Sequence, residues 1–450
     1  MARGRDRAGH PLGRHPRRLV LPGLRRRQVG LRDGRGRAVT SSVPADGRIV
    51  VVGTGVAGAT AAQTLRSEGF SGSIVLVGEE SEIPYRRTAV SKGLLSGKSD
   101  ITRVALKPAA HWPDIDVELL TGTTVVDVDA AARTVTLSDG EHLGYDVLVL
   151  ATGGRPRTLG PDHPRIHHLR AYRDVPALYE RLAAGERLLV VGGGLIGSEV
   201  ASTARDHSCA VTVLEAQTRP LARLLPEAVG SVVTELHKSA GVDLYTEVTL
   251  STLEADDTGI VAVAADGRRW AADAAVVAIG MDPAIELAER IGARIDGGVV
   301  VDEWFRTSVD GVYAIGDVAT IPHAALGGWY RCEHWNSALD HGAAVARSIL
   351  GTGAPFGAVP WSWSQQFGSN IQVAGWPGAD DELLVRGDLD GRDFTALCRR
   401  DGRLVGAVSI GRPKDIRAVR VLIEHAPFTT DRVLLDPETD LTALSAAARQ

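Results

Sequence analysis

Cysteine is nearly absent from this chain: Cys209, Cys332 and Cys398 are the only three among 450 residues, and no two are close in sequence. That spacing excludes a CxxC or CxxxxC redox pair, and a chain able to build a full core has no need of a disulfide framework. Each cysteine is read as a small apolar residue in a buried or half-buried place. Long apolar runs are missing too. Nothing approaches the ~18 consecutive apolar residues of a membrane span, and neither Phe nor Trp clusters as a membrane face would require. No metal site is expected. Acidic residues are scarce only at the start, where residues 1–38 carry 12 Arg against 2 Asp, so a net charge of −5 hides a basic leader on a body of −15.

What is present is organised around Ile49 to Gly58, IVVVGTGVAG. A buried apolar strand runs into Gly53, Gly55 and Gly58, and small residues then open a tightly packed helix, which is the dinucleotide fingerprint in its required setting. The first glycine permits the sharp turn, the second lets backbone approach a pyrophosphate, and the third seats the helix against the strand, so phosphates meet the helix N-terminus. The next strand, Ile74 to Val77, ends at Glu79 and Glu80, where a carboxylate can accept hydrogen bonds from a ribose. A second copy follows: an apolar strand at Leu188 to Val191, then Gly192, Gly194 and Gly197, a helix from Leu195 to Ala204, and a strand that ends at Glu215. Two such motifs predict two dinucleotides on separate modules.

The length exceeds one core, so two or three domains are expected. Residues 1 to about 45 show no period that could bury a face, and disorder is expected. A binding arm, an export or transit signal and translated upstream sequence are the three readings, the last preferred with Val39 as a candidate start. Ile83 to Leu95 reads as a loop entering a helix. Residues 117 to 150 alternate apolar and polar, suggesting an antiparallel excursion that returns to a buried strand at Val147 to Leu150. Ala151-Thr152-Gly153-Gly154 then lies at the carboxyl edge, where open α/β sheets bind ligands. The second module closes at Ala274 to Gly280, and Val312 to Val318 is a buried strand of the first. Beyond Gly351, alternating strands and a helix near Lys414 to Glu424 indicate an antiparallel third domain.

The ordered series GTGVAG, PYxRxxxSK, ATGGRPR, GGGLIGSE, AIGxxP, YAIGDV and ExWxxA resembles the two-dinucleotide flavoprotein reductases, specifically the ferredoxin, rubredoxin and putidaredoxin reductase group. The match runs from about Arg48 to Glu424. It implies an α/β fold of two Rossmann-like domains plus a C-terminal α+β interface domain: FAD-binding at 48–162 and 281–352, NAD-binding at 163–280, and interface at 353–440, after a leader at 1–47. It places FAD on Gly53, Gly55, Val56, Ala57 and Gly58, with Glu79 and Glu80 at the adenosine ribose and the Val125 backbone at the adenine. Arg87 and Lys92 would face the cofactor, with Ala151, Thr152 and Gly153 beside it and Arg157 towards the diphosphate. Gly316 and Asp317 would meet the ribityl chain and Trp335 the flavin ring. NAD(H) falls to Gly192, Gly193, Gly194, Leu195, Ile196, Gly197, Glu215 and Gly280, with Glu333 and His334 near the nicotinamide. The resemblance also pairs Lys92 with Glu199, close to flavin N5, as the catalytic residues. Two motifs differ from the group: Thr88-Ala89-Val90-Ser91-Lys92 lacks the usual prolines, and Ser362-Trp363-Ser364-Gln365-Gln366 lacks an aromatic and a carboxylate.

Hydride transfer needs nicotinamide C4 held ~3–3.5 Å from flavin N5. Glu215 would accept from an unmodified ribose and repel a 2′-phosphate, favouring NADH over NADPH, with Arg219 able to soften the preference. The resemblance implies an outlet by single-electron steps to a small iron-sulfur protein, a ferredoxin or rubredoxin, serving a cytochrome P450 or ring-hydroxylating oxygenase. Arg386, Arg392, Arg399, Arg400, Arg403, Arg412, Lys414 and Arg417 give the C-terminal domain a basic character that could steer an acidic carrier. Alternatives are an NADH oxidase or small-acceptor tailoring flavoenzyme, and an NADH-sensing flavoprotein resembling apoptosis-inducing factor. A cytoplasmic monomer or homodimer is expected, without membrane or nucleic-acid partners.

Overall fold

The computed structural model describes residues 43–449, so the basic leader lies outside the described residues. The first module is a five-stranded parallel sheet in the order Val312–Ala314, Val147–Leu150, Arg48–Val52, Ser73–Val77, Val117–Leu120. Its central strands read IVVV, IVLV and VLVL and are buried throughout, as a parallel sheet covered on both faces requires. Helix Val56–Ser67 packs against helix Trp335–Ile349 so closely that a Cβ at Gly342 would lie 2.4 Å from the Ala57 carbonyl oxygen. Small residues at Ala57, Ala61 and Gly342 permit that approach.

The second module repeats the plan. Its parallel order is Asp243–Tyr245, Val211–Leu214, Leu188–Val191, Ala274–Val277, Ile166–His167. Each module also carries a three-stranded antiparallel meander, at 125–144 in the first and 250–272 in the second. The fingerprint repeat is therefore also a repeat of sheet order, with one edge strand supplied late in the first module, Val312–Ala314, and early in the second, Ile166–His167. The chain enters and leaves the second module through an antiparallel ribbon, Gly154–Pro156 against Met281–Pro283.

A five-stranded antiparallel sheet forms the C-terminal part, ordered Trp361–Gln366, Ser369–Gly375, Arg403–Ile410, Asp393–Arg400, Glu382–Asp388, with helix Pro413–His425 across it. Among the described residues no helix is long and apolar enough to cross a membrane.

Three local expectations differ from the fold. Val117–Leu120 pairs in parallel with Ser73–Val77 and is the outer strand of the main sheet, not part of the excursion. The stretch after Ile83 forms one 3₁₀ turn, Arg87–Ala89, followed by turns: its amides close onto carbonyls three residues back, as Val90 does on Arg87 and Lys92 on Ala89. The strand at Val312 stops at Ala314, because Gly316 takes φ +71° and a 3₁₀ turn, Gly316–Val318, begins there. Two further helices follow, Asp431–Leu435 and Leu441–Ala448, the second of them beyond residue 440.

Candidate active site

Both glycine turns have the shape a dinucleotide demands. Gly53 stands at φ +117° and Gly192 at φ +104°, and a Cβ there would meet the carbonyl oxygen of the neighbouring strand end at 2.1 Å (Ala151) or 2.4 Å (Ala278). A Cβ at Gly58 or Gly197 would lie 2.0 or 1.9 Å from the carbonyl of the turn's own first glycine. By contrast, nothing approaches within 4 Å of a Cβ at Gly55 or Gly194. Each of these is the N-cap of a 12-residue helix with no side-chain cap, so the amides at Val56 and Ala57, or Leu195 and Ile196, face open space at the positive end of the helix. The cradles fit two pyrophosphates.

The carboxylates at the strand ends part company. Glu80 is buried and ion-paired to Arg87, and Tyr85 Oη donates to its Oε2 at 2.6 Å. Burial pulls its pKa upward, but the Arg87 charge and the hydrogen bonds from Tyr85 and Arg87 outweigh it and leave the group below its ordinary value. Glu80 therefore anchors the loop. Glu79 is half exposed at the sheet edge, 3.6 Å from Arg173, and is the carboxylate able to turn to a ribose. Glu215 accepts from the Gly193 amide at 2.6 Å and the Gln217 amide at 2.7 Å, which sets its carboxylate at the lip of the second cradle. Arg219 lies mostly buried beneath Gly230, 3.9 Å from Glu227.

Asp317 follows the Gly316 turn, and Arg170 Nη2 donates to its Oδ2 at 3.1 Å. The same guanidinium would lie 3.2 Å from a Cβ on Gly153, which has φ +67°, and the Arg170 carbonyl accepts from Arg87 at 3.0 Å. Arg170 thus occupies the charged position beside Asp317. Arg157 stands elsewhere, half exposed in an ion pair with Asp282 at 2.9 Å, its amide bonded to the Gly280 carbonyl. Sequence reasoning passed over Arg170 because it sits outside every glycine-rich motif, just after the second module's edge strand Ile166–His167. Thr152 Oγ1 donates to the Ala284 carbonyl at 2.7 Å, tying the edge of the first sheet to the outgoing link. Val125 begins the first meander with its side chain buried.

Lys92 Nζ reaches Glu199 Oε2 at 2.5 Å across the two modules. At the start of helix Trp335–Ile349, His334 is the N-cap residue, and burial keeps its imidazole below the ordinary pKa despite the neighbouring Asp317. It is neutral at pH 7. Glu333 is committed to Arg331 at 2.5 Å, and Arg331 also donates to the Asp317 carbonyl at 3.2 Å. From the opposite side His341 Nδ1 accepts the Gly316 amide at 3.2 Å and fixes the turn.

All three cysteines are buried and free, and burial pushes the Cys332 and Cys398 thiols up to about 12. No group of side chains among the described residues could hold a metal ion. Half of the eight basic residues of the C-terminal domain are already engaged within it: Arg400 pairs with Asp381, Arg412 with Asp393 and Arg399 with Asp431, while Arg386 donates to carbonyls from Leu434 to Thr439.

Residues 47–342 match the pyridine nucleotide-disulphide oxidoreductase family model, and residues 361–445 match the reductase C-terminal model. Rhodocoxin reductase of Rhodococcus erythropolis is 38% identical over 406 residues, 89% of this chain and 94% of that protein. The ferredoxin–NAD(+) reductase component of the p-cumate 2,3-dioxygenase system of Pseudomonas putida is 37% identical, covering 88% of this chain and 97% of its own. Among solved structures, the covalent putidaredoxin reductase–putidaredoxin complex superposes with a TM-score of 0.85 at 33% identity, over 90% of this chain and 100% of that one. Matched over most of its length by the family model and by full-length reductases, the chain belongs to the pyridine nucleotide-disulphide oxidoreductase family, in its ferredoxin reductase group.

Proposed function

We propose that this protein is an NADH-dependent FAD reductase that delivers electrons to a small iron-sulfur carrier serving a P450 or ring-hydroxylating oxygenase. The observation that carries the proposal is the pair of equivalent glycine cradles in modules joined by Lys92 and Glu199. FAD, when bound, supplies the chemistry of accepting a hydride from nicotinamide and releasing electrons singly.

The chain's own residues bind, orient and balance charge. The first cradle, with Glu79 at the ribose and Asp317 steadied by Arg170, would hold FAD. The second cradle, with Glu215 at its lip, would hold NADH and disfavour a 2′-phosphate by charge repulsion. Lys92 contributes a fixed positive charge where negative charge develops on reduction, and a preorganised cation costs no reorganisation at that moment. His334, neutral, can hydrogen-bond a carboxamide without adding a second charge. With every thiol buried, no residue is placed to pass electrons through a disulfide, and the likeness to ferredoxin reductases supports a protein acceptor at the flavin as the outlet. The segments 48–162 with 281–352, 163–280 and 353–440 are proposed as the FAD, NAD and interface domains. A cytoplasmic location, where NADH is available, belongs to the same proposal.

Anaerobic stopped-flow mixing with NADH and with NADPH tests it. NADH is expected to bleach the flavin faster than NADPH, and the reduced protein to reduce a ferredoxin in turn. Failure of both nicotinamides to bleach the flavin would refute the proposal.

A further inference from the structure

The Lys92–Glu199 pair is not closed on itself. Glu199 is 3% exposed, and its Oε2 receives Ser91 Oγ at 2.5 Å besides Lys92. Its other oxygen, Oε1, receives Ser364 Oγ at 2.6 Å, and Ser364 Oγ accepts in turn from Gln366 Nε2 at 2.9 Å. Ser364 and Gln366 belong to the first strand of the C-terminal sheet, and both are 1% exposed. The same helix is held again nearby: Thr203 Oγ1 donates to the Ser91 carbonyl at 3.1 Å, and Ser202 Oγ accepts the Phe367 amide at 2.7 Å. One buried carboxylate thus joins the first module, the second module and the C-terminal sheet.

A carboxylate facing a lone lysine can offer either oxygen and rotate between them. Hydroxyl donors assigned one to each oxygen remove that freedom, and inside a poorly solvated site such bonds are strong and costly to leave unmade. Ser91 and Lys92 take Oε2, and Ser364 takes Oε1. Gln366 makes the assignment directional: by donating to Ser364 Oγ it leaves that hydroxyl's own proton for Glu199.

We propose that Ser364, oriented by Gln366, is a positioning residue that fixes the Glu199 carboxylate and through it the place of the Lys92 ammonium, so that the C-terminal sheet sets the charge at the flavin site. The proposal rests on the reading of Lys92 as the cation beside the flavin. It gives the C-terminal sheet a part in the chemistry in addition to any part in carrier docking.

The test uses Ser364→Ala and Gln366→Met in the full chain as purified. Lys92 acylation by an amine-reactive ester, followed by peptide mass spectrometry, reads the lysine directly and needs no turnover. A threefold or greater rise in its labelling rate is expected in both variants, with other lysines unchanged. In the flavin-loaded protein the midpoint potential is expected to move negative, and the rate constant of flavin reduction by NADH to fall about fivefold at unchanged NADH Kd. Folded variants with wild-type labelling and potential would overturn the proposal. If Ser364→Ala does not fold, Gln366→Met decides alone. If the wild type is not reduced by NADH, the functional reading fails, while the labelling comparison still judges the positioning role.

Discussion

Adding one methyl group at either of two equivalent positions separates the two cradles. At Gly55 and Gly194 the backbone lies at φ −64° and −74°, which alanine adopts freely, and nothing stands within 4 Å of the new Cβ. Replacing glycine by alanine at a helix N-cap costs ~0.5–1 kcal/mol, small against the stability of a domain, so both variants should fold. The methyl group, however, enters the space that a pyrophosphate must occupy to reach the helix amides. Forcing a methylene-sized group into a filled contact costs ~1–3 kcal/mol, a factor of roughly 5 to 150 in affinity. Gly55→Ala is therefore expected to purify folded but depleted of FAD. Gly194→Ala should keep its flavin and show an NADH Kd raised by about one to two orders of magnitude. Absorbance gives the flavin content, and stopped-flow titration gives the Kd. Wild-type NADH affinity in Gly194→Ala, or loss of flavin from that variant with NADH binding intact, would refute the assignment of the cradles. Gly58→Ala and Gly197→Ala are the controls for misfolding, since their Cβ would sit 2.0 and 1.9 Å from a carbonyl oxygen.

Glu215→Ala removes the carboxylate at the second cradle's lip. It should lower kcat/KM for NADH about 10- to 100-fold, the worth of charge-assisted bonds to a ribose, while narrowing the gap to NADPH in steady-state assays with both nicotinamides. Arg170→Ala should lose flavin on dilution, measured by released fluorescence, whereas Arg157→Ala, at an exposed ion pair, should retain it. His341 is buried, and burial, with a smaller contribution from His323, lowers its pKa from 6.5 to about 3. The unfolded chain takes up the proton below pH 6.5 and the folded one does not, so stability present above that pH is lost as pH falls towards 3, a linkage worth up to ~4 kcal/mol. Thermal unfolding across this range should show a shallower acid decline in His341→Gln, whose amide oxygen can still accept the Gly316 amide.

Much of this architecture could be read from residues alone, for a physical reason. Parallel strands buried on both faces must be continuous apolar runs, so Ile49 to Val52, Val147 to Leu150 and Leu188 to Val191 declare themselves, and Gly53 and Gly192, which end the first and third of them, are dictated by backbone contacts under 2.5 Å. Strand partners were harder. Val117–Leu120 alternates apolar and polar like the meander after it, and only its pairing with Ser73–Val77 assigns it to the main sheet. Site residues whose role depends on a partner distant in sequence were also hidden. Glu79 and Glu80 are indistinguishable until Arg87 and Tyr85 are seen to claim the second. Arg170 acquires meaning only from Asp317, and Ser364 only from Glu199. Likewise, that Arg399, Arg400 and Arg412 are held by Asp431, Asp381 and Asp393 becomes visible only when the sheet is folded.

The ribbon of Gly154–Pro156 against Met281–Pro283 has a consequence for the order in which this protein comes into being. The second sheet holds all five of its strands once Val277 has been synthesised, but the first sheet, begun at Arg48, lacks its edge strand until Val312–Ala314 emerges. On a ribosome adding ~5–20 residues per second, the inserted module can close first, while four strands of its host wait with Val147–Leu150 unpaired on one side. The ribbon pins the two ends of the insertion together and so shortens the effective loop that the late strand must close. An exposed, fully apolar strand edge is a hazard for as long as it stays open, and the module that carries Glu215 therefore also acts as the clasp that brings Val312 back to its place.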